Sequence, residues 1–129
     1  MTPILDSEDV QQALDALIAG DRQAAADRFT QDVVLTGVGG CLSGRITGLP
    51  AVLDRFADMA RLTHGTYGTE VEAVYTGNTT QLVVVARHWA SIEGDQVYGT
   101  QALLVTVDGG RIGAMSALSR PGPASGIWD

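Results

Sequence analysis

Apolar residues along the chain change their spacing near residue 69. Upstream they recur every three or four positions. In DSEDVQQALDALIAGD, Val10, Leu14, Leu17 and Ile18 fall on one face of a helix. Asp6 or Ser7 stands where a side-chain oxygen caps the first turn. Glu8 and Asp9 sit near the positive end of the helix dipole, and Gly20 supplies a left-handed stop. DRQAAADRF predicts a second, short helix with Asp21 as cap and Ala25 and Phe29 facing inward. DVVLTGV reads as a strand. LPAVLDRFADMARL predicts a third helix, with Pro50 in its first turn and Leu49, Leu53, Phe56 and Ala60 as the buried stripe. Between them, GGCLSGRITG reads as a glycine-rich connection: its spacing is wrong for a phosphate-binding loop and no Lys follows.

From residue 69 the period is two. TEVEAVYT, QLVVVARHWASI, VYGTQALLVTV and RIGAMSALS predict four strands, joined by turns at Gly77-Asn78, EGDQ and DGG as three consecutive hairpins. RPGPASGIWD is irregular. The organisation expected is a single domain over residues 1–129 with an irregular tail from about residue 120. An antiparallel sheet has an apolar face to cover, and amphipathic helices can cover it. The expected class is therefore α+β, a cone-shaped curved antiparallel sheet covered by three N-terminal helices.

Composition narrows the function. At 129 residues, 45% hydrophobic and 18% charged, the chain suits one soluble core. No apolar run approaches the roughly 20 residues of a membrane helix. MTPILDSEDV lacks a basic segment followed by an apolar one, so the expected location is cytoplasmic. Lys plus Arg is 8, all of them Arg, against 15 Asp plus Glu, a net charge of −7. That balance repels phosphate backbones and anionic membranes, so neither nucleic acid nor membrane is an expected partner. Cys41 is the single cysteine, which rules out an internal disulfide and a thiolate metal cluster. It reads as a buried or loop cysteine rather than a nucleophile.

Three stretches resemble the nuclear transport factor 2-like superfamily and its SnoaL-like group. ALIAGDRQAAADRFTQDVVL has that family's helix, Gly-Asp, helix, Asp, strand entry. LSGRITGLPAVLDRF is similar to its glycine-punctuated lead into the third helix, and LVVVARHWASIEGDQVY with LLVTVDGGRI to its closing strands. The resemblance covers nearly the whole chain. It implies a cystatin-like cone, and it leaves activity open, because the superfamily includes ketosteroid isomerases, polyketide cyclases, dehydratases, epoxide hydrolases and non-catalytic binders. Where ketosteroid isomerases carry their base, oxyanion Tyr and second Asp, this chain has about Gly37, Ala13 and Leu103, so that activity is not expected. The epoxide hydrolases' Asp-Arg-Asp relay is not visible. In SnoaL-like cyclases an Asp or His on the late strands does the acid/base work, and His88 is the residue here that matches.

Strand alternation puts Leu82, Val84, Ala86, His88, Ala90 and Ile92 on one face, with His88 the sole polar member. Val83, Val85, Arg87, Trp89 and Ser91 form the other. If EGDQ closes with a two- or four-residue loop, Ile92 pairs with Val97, His88 with Gln101 and Ala86 with Leu103. If Asp108-Gly109 is the next turn, Val107 pairs with Gly110 and Gln101 lies opposite Ser116. The expected result is a polar row, His88–Gln101–Ser116, on an apolar face; an odd loop length breaks it. Burial pushes such an imidazole toward its neutral form, fit to act as a general base or acid. The alternative is a satisfied core histidine.

The candidate site is thus His88 as the catalytic group, with Gln101, Ser116, Tyr67 and Phe56 contacting substrate. Tyr67 and His64 follow the third helix near the mouth of the cone. No carboxylate stands at a spacing that would make His64 and His88 a metal pair, so no metal and no cofactor is expected. Two readings stay open. In one, the chain binds an apolar, carbonyl-bearing small molecule and His88 moves a proton in a cyclisation, isomerisation, dehydration or hydrolysis. In the other it is a non-catalytic ligand-binding or dimerising module. A homodimer through the outer sheet face, with Trp89, Val83, Val85, Met115 and Ala102, is expected because that face is too apolar to leave wet. Ile127 and Trp128 in the tail are candidates for a plug or a dimer contact.

Overall fold

Helix α1 (Ser7–Ala19) begins at a reciprocal cap. The Asp9 backbone N–H donates to the Asp6 carboxylate at 2.8 Å, and the Asp6 N–H donates to the Asp9 carboxylate at 3.1 Å. That second bond holds the Asp9 carboxyl below its ordinary range. Gly20 ends the helix in the left-handed region at φ 69°. Helix α2 (Arg22–Arg28) is capped by Asp21 and runs directly into β1 (Phe29–Thr36), so Asp32 lies on an exposed strand position. After β2 (Arg45–Thr47) come α3 (Leu49–Leu62), β3 (Gly68–Thr76), β4 (Gln81–Ile92), β5 (Asp95–Asp108) and β6 (Arg111–Ala117). These coordinates are a computed structural model, and they describe residues 5–37 and 44–118.

The six strands form one sheet in the order β2-β1-β6-β5-β4-β3. The antiparallel meander expected of the last four strands is present, and β1 pairs in parallel with β6, so the six-stranded sheet as a whole is mixed. A parallel neighbour needs a long crossover, and everything from residue 37 to residue 110 serves as one. Hydrophobic periodicity identifies strands but not which of them are neighbours. The three-residue β2 lies in the stretch read as a loop; it is too short to show a period.

One face of the sheet packs against α1 and α3. Val33, Leu35, Leu82, Val84, Leu103, Val105, Ile112 and Met115 from the strands meet Val10, Leu14, Leu17, Val52, Leu53 and Phe56 from the helices. Register shifts interrupt three of the pairings, between Phe29 and Val34, Val71 and Ala73, and Thr106 and Val107. Each such irregularity bends its strand, and together they curve the sheet without closing it.

Two hairpins differ from the register expected of them. Glu93-Gly94 is a two-residue turn with both φ angles positive, so Ile92 pairs with Asp95 and not with Val97. The slip is two residues, which preserves the faces: His88 lies opposite Gly99, and Ala86 opposite Gln101. The β5–β6 turn is Gly109-Gly110, again with both φ positive, and it pairs Asp108 with Arg111. The shift between Thr106 and Val107 then adds one more residue. One residue exchanges the faces. Met115 is consequently fully buried in the core rather than on the outer face, and Ser116 lies opposite Leu104 on the outer one.

Candidate functional site

A hollow opens between the helices and the β3–β4–β5 part of the sheet. Its apolar wall is Leu14 of α1, Phe56 of α3, Ala86 of β4 and Leu103 of β5. Its polar wall is Tyr67, Thr69, His88 and Gln101. Among the described residues no charged side chain lines it. It encloses about 310 Å³ counting its open mouth, and the centre of a water molecule can move through only about 20 Å³ of that. The inner end therefore has room for one or two waters, and a larger ligand must occupy the mouth or displace side chains.

Local structure fixes each polar group. Thr63 Oγ1 donates to the Met59 carbonyl at 2.8 Å, and Thr66 Oγ1 donates to the Thr63 carbonyl at 2.7 Å, which shapes the turn after α3. The Ser91 N–H donates to the same Thr66 hydroxyl at 2.8 Å, tying this turn to the far end of β4. Tyr67 is thereby held inside, edge-on to Phe56 (6.3 Å between ring centroids) and to His88 (6.5 Å). His64 is exposed in the turn at φ 53° and takes no part in the hollow.

Thr69 reaches its place through a bulge. From Thr76↔Leu82 to Ala73↔Val85 the β3–β4 pairing is regular; then Val71 pairs with Ala86, leaving Glu72 as the extra residue. An unbroken ladder would set Glu70 opposite His88. The bulge instead sets Thr69 opposite His88 and turns Glu70 outward, where it lies 3.7 Å from Arg87. Gln11 of α1 holds this stretch: its amide oxygen accepts from the Val71 N–H at 2.7 Å and its amide nitrogen donates to the Thr69 carbonyl at 3.1 Å. Because β3 is an edge strand, these bonds also occupy groups that would otherwise be open to another chain.

His88 is 3% exposed. Burial pushes its pKa from 6.5 down to about 4, so the imidazole is neutral at pH 7. Gln101 donates its amide N–H to the Gly37 carbonyl at 3.0 Å, which ties the wall of the hollow to the end of β1.

Of the five residues the sequence singled out, the structure brings four together: His88, Gln101, Tyr67 and Phe56. Ser116 does not join them. The one-residue shift in β5–β6 carries it to the outer face, and the row His88–Gln101–Ser116 is not formed. Thr69 and Gln11 were missed. An unbroken count from the Thr76↔Leu82 pair would give Glu70 in place of Thr69, since nothing in the sequence marks the bulge. Of the positions matched to ketosteroid isomerase, Ala13 is buried in α1, Gly37 follows β1 and Leu103 lines the hollow. Cys41, Ile127 and Trp128 lie outside the described residues. Among the described residues no three His, Cys, Asp or Glu side chains cluster as a metal site, and no helix is long and apolar enough to cross a membrane.

No protein-family model matches the chain. Uncharacterised proteins of Mycobacterium tuberculosis and Mycobacterium bovis are 30% identical to it over 130 residues, covering 99% of this chain and 99% of each relative. Among solved structures, Bal32a from a soil-derived mobile gene cassette matches with TM-score 0.75 at 18% identity, covering 86% of both chains. A putative SnoaL-like polyketide cyclase from Jannaschia matches with TM-score 0.65 at 17% identity, covering 92% of this chain and 88% of the other. A nuclear transport factor 2-like protein from Anabaena variabilis matches with TM-score 0.65 at 19% identity, covering 86% and 83%. The chain has the nuclear transport factor 2-like, cystatin-like fold, and it belongs to one family with the mycobacterial relatives. In this nuclear transport factor 2-like cone, the neutral imidazole and the curved sheet that carries it are both products of the chain's own register.

Proposed function

We propose that the chain is a SnoaL-like enzyme that binds a small, uncharged, largely apolar molecule bearing a carbonyl group, and that His88 transfers a proton on it without a cofactor. The observation that carries this reading is a neutral imidazole in a hollow whose described lining residues carry no charge. Neutral imidazole accepts a proton at one nitrogen and donates from the other. It can therefore take a proton from carbon beside a carbonyl and return it elsewhere, the step shared by cyclases, isomerases and dehydratases. Its low pKa makes the imidazolium short-lived, which suits a relay better than a store.

A second reading, ligand binding without chemistry, is favoured by one feature: among the described residues no carboxylate lines the hollow, and Glu70 faces Arg87 instead. The two are separable without knowing the substrate. The protein is incubated in heavy water with a panel of enolisable ketones, cyclohexanone among them. Proton transfer by His88 predicts hydrogen–deuterium exchange beside the carbonyl that is lost in His88→Leu. Ketones that shift the His88 signals yet exchange at the buffer rate would establish the binding module.

Pairing of two chains through the outer sheet face belongs to the same proposal. Tyr75, Trp89, Tyr98 and Leu118 are exposed there, with Val83, Val85, Ala102 and Leu104 beside them. Sedimentation at micromolar concentration should show a dimer, and a monomer there would remove this part.

A further inference from the structure

Thr69 and Gln101 stand on β3 and β5, bracketing His88 on β4. Thr69 lines the hollow, and its hydroxyl is buried with no hydrogen bond to any other described residue. A buried hydroxyl is normally satisfied, because burial strips it of water. Here the backbone cannot relax to find it a partner: Gln11 clamps the Thr69 carbonyl on one side and the Val71 N–H on the other. Gln101 is fixed by its bond to the Gly37 carbonyl, which leaves its amide oxygen as an acceptor at the wall. Arg87, the nearest arginine in sequence to His88, lies on the outer face with Glu70, so among the described residues no cation is positioned to neutralise an anionic ligand.

We propose that Thr69 and Gln101 are the specificity pair of the hollow, and that they select an uncharged enol or hydroxyl group over a carboxylate or a plain hydrocarbon. The ligand hydroxyl donates to the Gln101 amide oxygen, and its oxygen accepts from the Thr69 hydroxyl. This deepens the reading above and rests on it, since an enolisable carbonyl presents that group once His88 has taken the proton from its carbon and returned it to its oxygen. It also accounts for a buried hydroxyl that contributes nothing to the fold alone.

Phenol is a stable enol, and toluene and benzoate are its apolar and anionic counterparts of similar size. Each is titrated into the full chain at pH 7, followed by the amide signals of residues 69, 88 and 101. Phenol should shift all three and bind more tightly than toluene; benzoate should shift none. Thr69→Val keeps the shape and removes the hydroxyl. It should keep the melting temperature or raise it, keep toluene binding, and lose a roughly three- to tenfold preference for phenol. A preference that survives in Thr69→Val, benzoate binding as tightly as phenol, or a lowered melting temperature in the variant would each overturn the assignment. If none of the three compounds reaches the hollow, the binding reading falls along with it. If toluene and phenol bind equally, only the role of this pair is lost.

Discussion

Replacing His88 by Leu should flatten the acid sensitivity of the fold by a calculable amount. Leu has a similar volume and cannot ionise. In the unfolded chain His88 titrates at 6.5, and in the native state burial lowers it to about 4. Between those values the unfolded state binds a proton that the native state does not, so native stability falls as pH drops across that window. Above pH 6.5 neither state is protonated and nothing is lost; below 4 both are and the loss is complete. At about 1.36 kcal/mol for each tenfold change, the whole gap corresponds to about 3 kcal/mol, of which roughly 2.5 has gone by pH 4.5. Total stabilities of about 5–15 kcal/mol make that a large share. Urea denaturation of both proteins at pH 7.0 and pH 4.5 gives the number directly. Carboxylates contribute alike to wild type and variant and cancel in the comparison. Wild type should lose roughly 2.5 kcal/mol more than His88→Leu. Equal losses would mean that the ring reaches water or meets a charge, and the argument for a neutral imidazole would fail.

Three further outcomes follow from the same geometry. If His88 is the base, its rate should be flat from pH 8 down to about 5.5 and fall as pH approaches 4, because the active form is the neutral one; a fall centred near 6.5 would mean an unperturbed imidazole. Gln11→Leu removes both bonds to β3 and should cost roughly 1–3 kcal/mol, with faster hydrogen exchange at the Val71 amide as its local signature. Gly68→Ala places a methyl group 2.7 Å from the Trp89 ring, so the indole must leave the β3 backbone and its position 5.8 Å from the Arg87 guanidinium. A cost of about 1 kcal/mol and a changed tryptophan emission are expected, and an unchanged spectrum would show that the ring does not lie there.

Much of this was legible in the sequence because it is local. Helix α3 and strand β4 have the limits their periodicity predicts, and Asp6, Asp21 and Gly20 cap as their chemistry suggests. What was not legible is where the ladders slip. In β4–β5 the turn fell on Glu93-Gly94, which slid the pairing by two residues and left Gln101 on the face of His88. In β5–β6 a single added residue sent Ser116 outward and brought Met115 into the core. Parity decides the outcome, and parity depends on bulges, whose local signals are weak.

The bulge at Glu72 decides more than a face. With an unbroken β3–β4 ladder, a carboxylate would stand opposite His88 and raise its pKa, as an acid beside an imidazole does. Burying that pair would need further hydrogen bonds to offset its desolvation, and the apolar wall of Leu14, Phe56, Ala86 and Leu103 has none to give. The extra residue avoids the problem: Glu70 lies beside Arg87 on the outer face, and the position opposite His88 is held by Thr69, a neutral residue. The same irregularity that helps curve the sheet into a cone thus makes the cone's polar wall uncharged. Curvature and the residue opposite the imidazole are set by one residue of register, and Gln11, reaching across from α1, holds that register in place.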